Sequence, residues 1–228
     1  MVNNYGDFLA ELKKSGFSQG GGNPRGIYTA IPCSWDEPAP KYTDVRWFSD
    51  DPETDPWAWR KRVVDEGEGI MYSKCFFRMA GYITEELFPY FYACRRQGLT
   101  FDDIYFEGRI SHTAKRVYDL IRQQGRVAYH EIKYLGGFGK ADNKAVEKAV
   151  TDLQMGMFIT VCGHKQKSNR FGISYGWESS VYSTVEDFWG GEPEYIEPKE
   201  AEAFITERVL SLNPDADPKI IRKFIYGK

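Results

Sequence analysis

Residues 108–178 restrict the possible folds more than any other stretch of the chain, because helix-like spacing of apolar residues is followed there by strand-like segments. Three segments with helical spacing of apolar residues precede two segments rich in β-branched and aromatic residues, and a polar, basic tip separates those two. Ser111 is a good cap for the first helix. The predicted helices cover 111–124, 129–135 and 143–155, and the predicted strands cover 157–162 and 171–177.

Three helices followed by a hairpin are the order of a winged helix, in which a β-hairpin wing extends a helix-turn-helix. We therefore expect an α+β fold with a winged-helix domain at 108–178 and additional N- and C-terminal helices. Residues 1–107 are expected to form an N-terminal α+β region, for which a degenerate second winged helix in tandem is one interpretation. Residues 179–228 are expected to form a C-terminal helical extension that packs back on the N-terminal half.

Other segments have weaker patterns. Thr84 followed by two glutamates resembles a helix start, and Asp55-Pro56 places a capping residue before a proline of the first turn. The predicted helices here cover 4–15, 56–66, 84–97 and 198–212, with a last one from 218, and the predicted strands cover 26–31 and 69–83.

Charge is distributed unevenly along the chain. The formal net charge of −3 argues against a uniformly basic nucleic-acid-binding protein. Residues 111–177, however, contain 11 lysines and arginines against 5 acidic residues, between two acidic flanks. A local basic face of this kind is what contacts to phosphates require, so we expect duplex DNA as the partner.

The third predicted helix and the wing offer most of these cations. Lys144 and Lys148 lie four residues apart and share one helix face. The alternatives are that these lysines are only a solvated surface, or that the domain contacts protein. The candidate nucleic-acid-binding residues are Arg116, Asn143, Lys144, Lys148, His164, Lys165, Lys167 and Arg170.

Several classes of function are disfavoured. No apolar run is long enough to cross a bilayer and no signal peptide is visible, so we expect a cytoplasmic protein without membrane contact. The four cysteines are scattered without a C-x-x-C pair, and the three histidines lack metal-ligand spacing. We predict no metal and no cofactor, and the sequence identifies no protein partner.

Residues 47–60 combine carboxylates with aromatic rings, as a pocket for an extruded base would. Asp55 is a candidate to orient water, and Trp57 and Trp59 are candidates to stack a base. The simpler alternative is that Asp55 caps a helix while the two tryptophans pack in the core.

Two further pairs of residues are candidates for chemistry. Tyr72 and Lys74 would share a face of a strand, where a buried lysine could be a nucleophile and Tyr72 could line a base pocket. An exposed lysine at a strand edge is the alternative. Glu107 and Arg109 could flank a cleft or form a structural ion pair.

Short segments also support a resemblance to a known family. They include Asp55-Pro-Trp-Ala-Trp-Arg60, Met71-Tyr-Ser-Lys-Cys-Phe-Phe77 with Gly81-Tyr-Ile83, Phe88-Pro-Tyr-Phe91 with Arg95-Arg96, Glu107-Gly-Arg-Ile-Ser111, Thr151-Asp-Leu-Gln154 and Asn213-Pro-Asp-Ala-Asp217. Over most of 55–228 the chain resembles the winged-helix DNA-binding family of AlkZ/YcaQ-type DNA glycosylases, and most of all its short AlkZ-related branch.

The resemblance implies tandem winged helices and an ability to open DNA around a damaged base. Those glycosylases are associated with a Gln-x-Gln or Gln-x-Asp motif that positions the hydrolytic water. This sequence contains neither motif, so no catalytic residue transfers from the family. Hydrolysis of N-glycosidic bonds therefore stays an open question, and DNA binding is the firmer expectation.

Three hypotheses follow for function. The first is a damage-directed DNA-binding protein related to the glycosylases. The second is a winged-helix transcription regulator, which would dimerise through the helix near 199–212 and place two third helices roughly 34 Å apart. The third is a protein-interaction module without enzymatic activity.

Overall fold

The structure, a computed structural model, describes residues 1–23, 25–168 and 171–227. The chain forms two compact units, of which the first comprises Met1–Gly98 with Glu194–Lys228 and the second Leu99–Pro193. The sequence predicted domain boundaries at residues 107 and 178. Whether the segments between those boundaries fold independently stays a prediction. Within the described ranges, no helix is both long and apolar enough to span a membrane.

The elements are labelled in chain order. The helices are α1 (Tyr5–Ser15), α2 (Pro56–Asp65), α3 (Phe88–Arg96), α4 (Phe101–Phe106), α5 (His112–Gln124), α6 (Tyr129–Leu135), α7 (Asn143–Met155), α8 (Val185–Trp189), α9 (Pro198–Leu212) and α10 (Pro218–Tyr226). The strands are β1 (Phe17–Gln19), β2 (Ile70–Phe76), β3 (Met79–Thr84), β4 (Val127–Ala128), β5 (Ile159–Ser168) and β6 (Ser174–Thr184).

In the first unit, β3 pairs antiparallel with both β1 and β2. The turn between β2 and β3 uses Phe77 and Arg78 in the left-handed region, at φ 51° and 64°. The core next to this sheet is aromatic: Phe8 of α1 stacks on Trp59 of α2 at 5.1 Å between ring centroids and meets Tyr82 of β3 edge to face.

The C-terminal helices belong to this first unit, as expected. Phe204 of α9 stacks on Tyr90 of α3 at 4.0 Å, and Phe224 of α10 stacks on Phe76 of β2 at 4.1 Å. The buried guanidinium of Arg95 donates to the backbone carbonyls of Phe224, Ile225 and Cys75. It thereby satisfies carbonyls near the end of α10, which have no partner inside that helix.

Two local predictions for the first unit are wrong. Residues 26–31 form no strand, because side chains take up their amides: Ala30 N–H donates to Ser18 Oγ and Ile27 N–H to Asn23 Oδ1. Thr84 does not begin a helix but ends β3, where its backbone N–H and its hydroxyl both donate to the carbonyl of Gly16. Helix α3 begins four residues later, with a proline in its first turn.

The second unit has the predicted order of three helices and a hairpin. Helix α5 packs against α7 and β6, and β4 pairs antiparallel with β6 through Val127 opposite Tyr182. Ser111 caps α5 by accepting from Ala114 N–H. The core contains Val117 and Ile121 of α5 and the buried apolar face of α7.

The strands of the hairpin differ from their predicted bounds. β5 continues to Ser168, into the segment expected to be the tip, and β6 begins at Ser174 and continues to Thr184. Residues 179–184 are thus strand and not part of a helical extension. The reason lies in the burial pattern, because β6 is buried near Tyr182 and exposed from Ser174 to Glu178. The buried part of β6 therefore lies after the predicted strand of 171–177.

Candidate nucleic-acid interface

Helix α7 has one buried and one exposed face. Val146, Ala149, Val150 and Leu153 are buried. Asn143, Lys144 and Lys148 are exposed, so the two lysines lie away from the core as their four-residue spacing predicts. Lys148 forms an ion pair with Asp152 one turn later.

The hairpin is tied to α6 by two polar contacts. Lys165 Nζ of β5 lies 2.6 Å from Glu131 Oε1, with the lysine half exposed and the glutamate largely buried. His130 Nδ1 lies 2.8 Å from Ser179 Oγ of β6. The register places Lys165 opposite Ser179, so both contacts lie at the same level of the hairpin.

These contacts change the acidity of the groups involved. Burial raises the pKa of Glu131, but hydrogen bonds from Lys165 and the Ala128 amide lower it more, so the net shift is downward. The bond to Glu131 raises the pKa of Lys165. Burial lowers the pKa of His130, partly offset by Glu131, and the nearby charges of Lys167 and Lys165 lower it further. The lysine and the glutamate are thus both charged near neutral pH.

Arg116 lies on α5 against the turn between α6 and α7. Its Nη2 donates to the Gly136 carbonyl at 2.6 Å, and its guanidinium lies 4.2 Å from the ring centroid of Phe138. The arginine therefore holds the turn that leads into α7, and its exposed position leaves a cationic group on the same unit.

The remaining hairpin candidates differ in exposure. His164 and Lys167 are half-buried, and Lys167 lies opposite Tyr175 of β6. Arg170 lies outside the described residues. The candidates that the structure brings together are therefore Lys165 and Lys167 of β5, next to the polar residues of α6.

The structure separates the three candidates near residue 57. Asp55 is the cap of α2, and its Oδ1 accepts from the amides of both Trp57 and Phe48 at 2.9 Å. Trp59 is fully buried against Phe8, and its indole N–H donates to the Glu53 carbonyl. The prediction that Trp59 lines a base pocket is wrong, because a residue of the closed core presents no face to a base.

The side chain of Trp57 is partly exposed to solvent. The Arg60 guanidinium lies 3.5 Å from its ring centroid, and the exposed ring of Phe48 lies 5.4 Å away. Phe48 has a left-handed backbone at φ 59°, a conformation that is costly for a bulky residue. The bonds to the buried carboxylate of Asp55 hold that conformation, so the two rings meet at a fixed position.

Tyr72 and Lys74 both lie on β2, whose register with β3 shifts between Ser73 and Phe76. Tyr72 is partly buried against Tyr82, with 5.1 Å between ring centroids, and burial raises its pKa. Lys74 is exposed, so the interpretation of this lysine as a buried nucleophile is wrong.

Glu107 and Arg109 form a surface ion pair. Their charged groups lie 3.0 Å apart, and both side chains are about half exposed. This is the structural alternative that the sequence left open. A solvent-exposed ion pair of this kind contributes less than about 1 kcal/mol to stability. It supplies no buried carboxylate for general acid-base chemistry.

The sequence patterns missed two features. Tyr175 and Trp177 of β6 have exposed side chains, which the predicted strand over 171–177 did not indicate. Glu131 is the direct partner of Lys165. The exposure of the two aromatic rings depends on which half of the hairpin packs in the core, and the sequence does not show this. No local pattern relates residue 131 to residue 165.

Among the residues that the structure describes, no three His, Cys, Asp or Glu side chains are placed to hold a metal ion together. The cysteines are free thiols, and Cys33, Cys75 and Cys94 are buried.

The fold and the site define an α+β protein whose second unit carries cations on a helix and on the hairpin that follows it. The chain belongs to the AlkZ-related family, whose model matches residues 2–226, so the resemblance found in the sequence is confirmed. A comparison with curated proteins gives no match.

Among solved structures, the chain is similar to the DNA glycosylase AlkZ of Streptomyces sahachiroi. The two share 12% identity with a TM-score of 0.40, over 75% of this chain and 50% of the other. The chain thus spans half the length of that protein.

Proposed function

We propose that the protein binds duplex DNA through the exposed face of α7 and the hairpin formed by β5 and β6. The second unit is then a winged helix, with α7 as the recognition helix and the hairpin as the wing. The module proposed from the sequence, 108–178, is the DNA-binding domain, although β6 itself continues to Thr184.

The observation that supports this proposal most is the two-sided character of α7. It buries an apolar face while Asn143, Lys144 and Lys148 point outward. A helix of 13 residues is about 20 Å long, and a helix fits the major groove of B-DNA, which is about 12 Å wide. Lysines at its exposed face would meet phosphates at the groove edge, and Asn143 is a residue type that reads adenine.

The hairpin adds a second point of contact. Lys165 and Lys167 lie on β5, on the strand that would follow the DNA backbone. The excess of cations in 111–177 is local, so the contact would involve one face of an otherwise acidic protein. Binding through phosphates of this kind depends steeply on salt, because each neutralised phosphate releases counterions.

Membership of the AlkZ-related family adds support for DNA as the partner, because the AlkZ/YcaQ-type proteins that the sequence resembles are DNA glycosylases. We propose binding without base release. The Gln-x-Gln and Gln-x-Asp motifs are absent from the sequence. Of the alternative catalytic candidates, Asp55 is a helix cap, Lys74 is exposed and Glu107 is in a surface ion pair.

The experiment is a titration of a labelled 20-base-pair duplex at about 50 mM salt and at increasing salt. Measurable binding that weakens linearly on a log-log plot is the expected result. Unmeasurable affinity at the lowest salt would overturn the proposal.

A second measurement addresses catalysis. The same duplex carrying alkylated purines is incubated with the protein, and released bases are quantified by chromatography. We expect binding without release. Release above the rate of the free duplex would show that other residues orient water, and would contradict the non-catalytic part of the proposal.

A further inference from the structure

The exposed end of the hairpin has a composition unusual for a surface. Large apolar side chains occur there at every second position, and their exposed fractions lie between 55% at Tyr175 and 81% at Trp177. The others are Phe171 and Ile173. Exposed apolar groups concentrated in one segment mark interaction sites, whereas single ones need no explanation.

Trp177 is presented by an irregularity in the hairpin. Lys165 lies opposite Ser179 and Lys167 opposite Tyr175, so β6 sets three residues against the single residue Gln166. Trp177 is the middle one of those three. Bulges of this kind redirect a side chain and are over-represented next to functional sites.

The side chain of Gln166 holds this bulge in place. Its Nε2 donates to the carbonyls of Tyr175 and Gly176, at 3.1 and 2.8 Å. Gly176 has a left-handed backbone at φ 66°, which glycine adopts without strain. Two polar bonds and a glycine thus fix the bulge while leaving the indole of Trp177 in solvent.

The charge near these rings indicates the partner. Lys167 lies directly across from Tyr175, so cross-strand pairing puts a cation beside an exposed ring, and Lys165 follows two residues away on β5. Rings next to lysines match a nucleic acid strand, which offers phosphates to the lysines and base faces to the rings. The apolar rings alone would also suit a second copy of the chain or a protein partner, but the lysines do not favour either of these.

We propose that Tyr175 and Trp177 stack on unpaired bases, so that the protein prefers DNA with an unstacked nucleotide over an intact duplex. The proposal rests on the proposed function, because the lysines and α7 would supply the general affinity. The bulge of β6 would then place the rings where a base leaves the stack. Insertion of an apolar side chain at a base step is a known way to exploit DNA that is already easy to deform.

The test compares a 20-base-pair duplex with one that has a single unpaired adenine at its centre, by fluorescence anisotropy at fixed salt. Stacking of one base on an aromatic ring corresponds to roughly 5- to 150-fold in affinity. We expect the full chain to prefer the bulged duplex within that range, and the emission of Trp177 to change on binding.

Trp177→Ala and Tyr175→Ala should reduce the preference toward equality, because stacking contributes only where a base is exposed. Gln166→Ala should reduce the preference partly, since it frees the bulge. Trp35→Ala is the matched control, because Trp35 is also an exposed tryptophan but lies in the first unit. It should leave the preference unchanged.

Four outcomes would overturn the proposal. Equal affinity for both duplexes would do so while leaving the proposed function intact, since the intact duplex is still bound. If the preference for the bulged duplex survives in Trp177→Ala and Tyr175→Ala, other residues are responsible for it. Self-association of the chain that is lost in Trp177→Ala, without a preference for bulged DNA, would show that the rings contact a second copy. Absence of binding to either duplex would contradict the proposed function as well.

Discussion

Lys165 of β5 and Glu131 of α6 form an ion pair with 2.6 Å between Nζ and Oε1. This pair links the hairpin to the helix next to it and places a carboxylate beside one of the cations assigned to DNA. Glu131 also accepts the amide of Ala128 at 3.1 Å and thereby caps α6. The same side chain therefore has a structural role and, under the proposed function, would compete with phosphate for Lys165.

Replacement of Glu131 by Gln should strengthen DNA binding. The amide oxygen of Gln can still accept from Ala128, so the cap is kept, while the negative charge beside Lys165 is removed. We expect higher affinity for duplex DNA and a salt slope steeper by about one unit, as for one additional phosphate contact. The free energy of unfolding should change by less than about 1 kcal/mol, because Lys165 is half exposed.

The control for that variant is Glu207→Gln, which removes the same charge from an exposed position on α9. It should leave the salt slope unchanged. Equal effects of the two substitutions would show that only net charge matters, and would contradict a specific role of the Glu131–Lys165 pair.

Trp59 should be a stability residue. Trp59→Ala removes a fully buried ring that stacks on Phe8 and leaves a cavity, so we expect a loss of about 3–5 kcal/mol in the free energy of unfolding. Trp57→Ala removes a partly exposed ring and should cost clearly less. Urea unfolding of both variants measures the difference, and similar losses would contradict the distinction between the two tryptophans.

Arg95 should be among the most sensitive positions of the first unit. Burial lowers its pKa to about 10, and its guanidinium serves three backbone carbonyls. Arg95→Met would leave those carbonyls without a partner in a buried site, which costs about 1–3 kcal/mol for each such group. Arg95→Lys should recover only part of the loss, since an ammonium lacks the planar fork.

Those two variants are compared by urea unfolding, with Arg222→Met as an exposed control on α10. A small loss for Arg95→Met, similar to that of the control, would show that the carbonyls find other donors.

The pH dependence of stability should include a contribution from His130. Burial lowers its pKa below the usual 6.5 in the folded protein, so the unfolded chain takes up the proton first as the pH falls. The contribution of His130 to stability is therefore present above about pH 6.5 and is lost as the pH falls below that value. The lowered pKa of Glu131 acts in a separate, more acidic range, below its usual 4.5.

Urea midpoints at about pH 7.5 and 5.5 measure this effect. The wild-type protein should lose more stability between the two values than His130→Gln, which has no titrating group at that position. An equal loss in both proteins would contradict the assignment.

Local sequence patterns predicted those elements whose caps and apolar spacing agree with their packing. Ser111 caps α5 and Asp55 caps α2 as their positions before helical patterns indicate, and the buried face of α7 follows its spacing. In such segments the local preference and the core favour the same structure.

The sequence-based predictions fail where contacts between residues far apart in the sequence determine the local structure. Thr84 has the sequence of a helix start, but pairing of β3 with β1 and β2 places it at the end of a strand. A strand was predicted over 171–177, but the sequence did not indicate which part of it is exposed, and in the structure β6 is exposed up to Glu178 and buried at Ser179. Neither the ion pair of Lys165 with Glu131 nor the bonds of Gln166 to β6 follows from a local pattern.

The salt dependence of duplex binding in Lys144→Gln/Lys148→Gln tests the central claim most directly. The plot of log affinity against log salt is compared for the wild-type chain, this double variant and the control Lys199→Gln/Lys219→Gln, whose lysines are exposed on α9 and α10. If α7 contacts the backbone, the slope of the first variant should fall by about two units and that of the control should stay unchanged. Equal slopes for all three proteins would contradict the assignment of α7 as the DNA-binding helix.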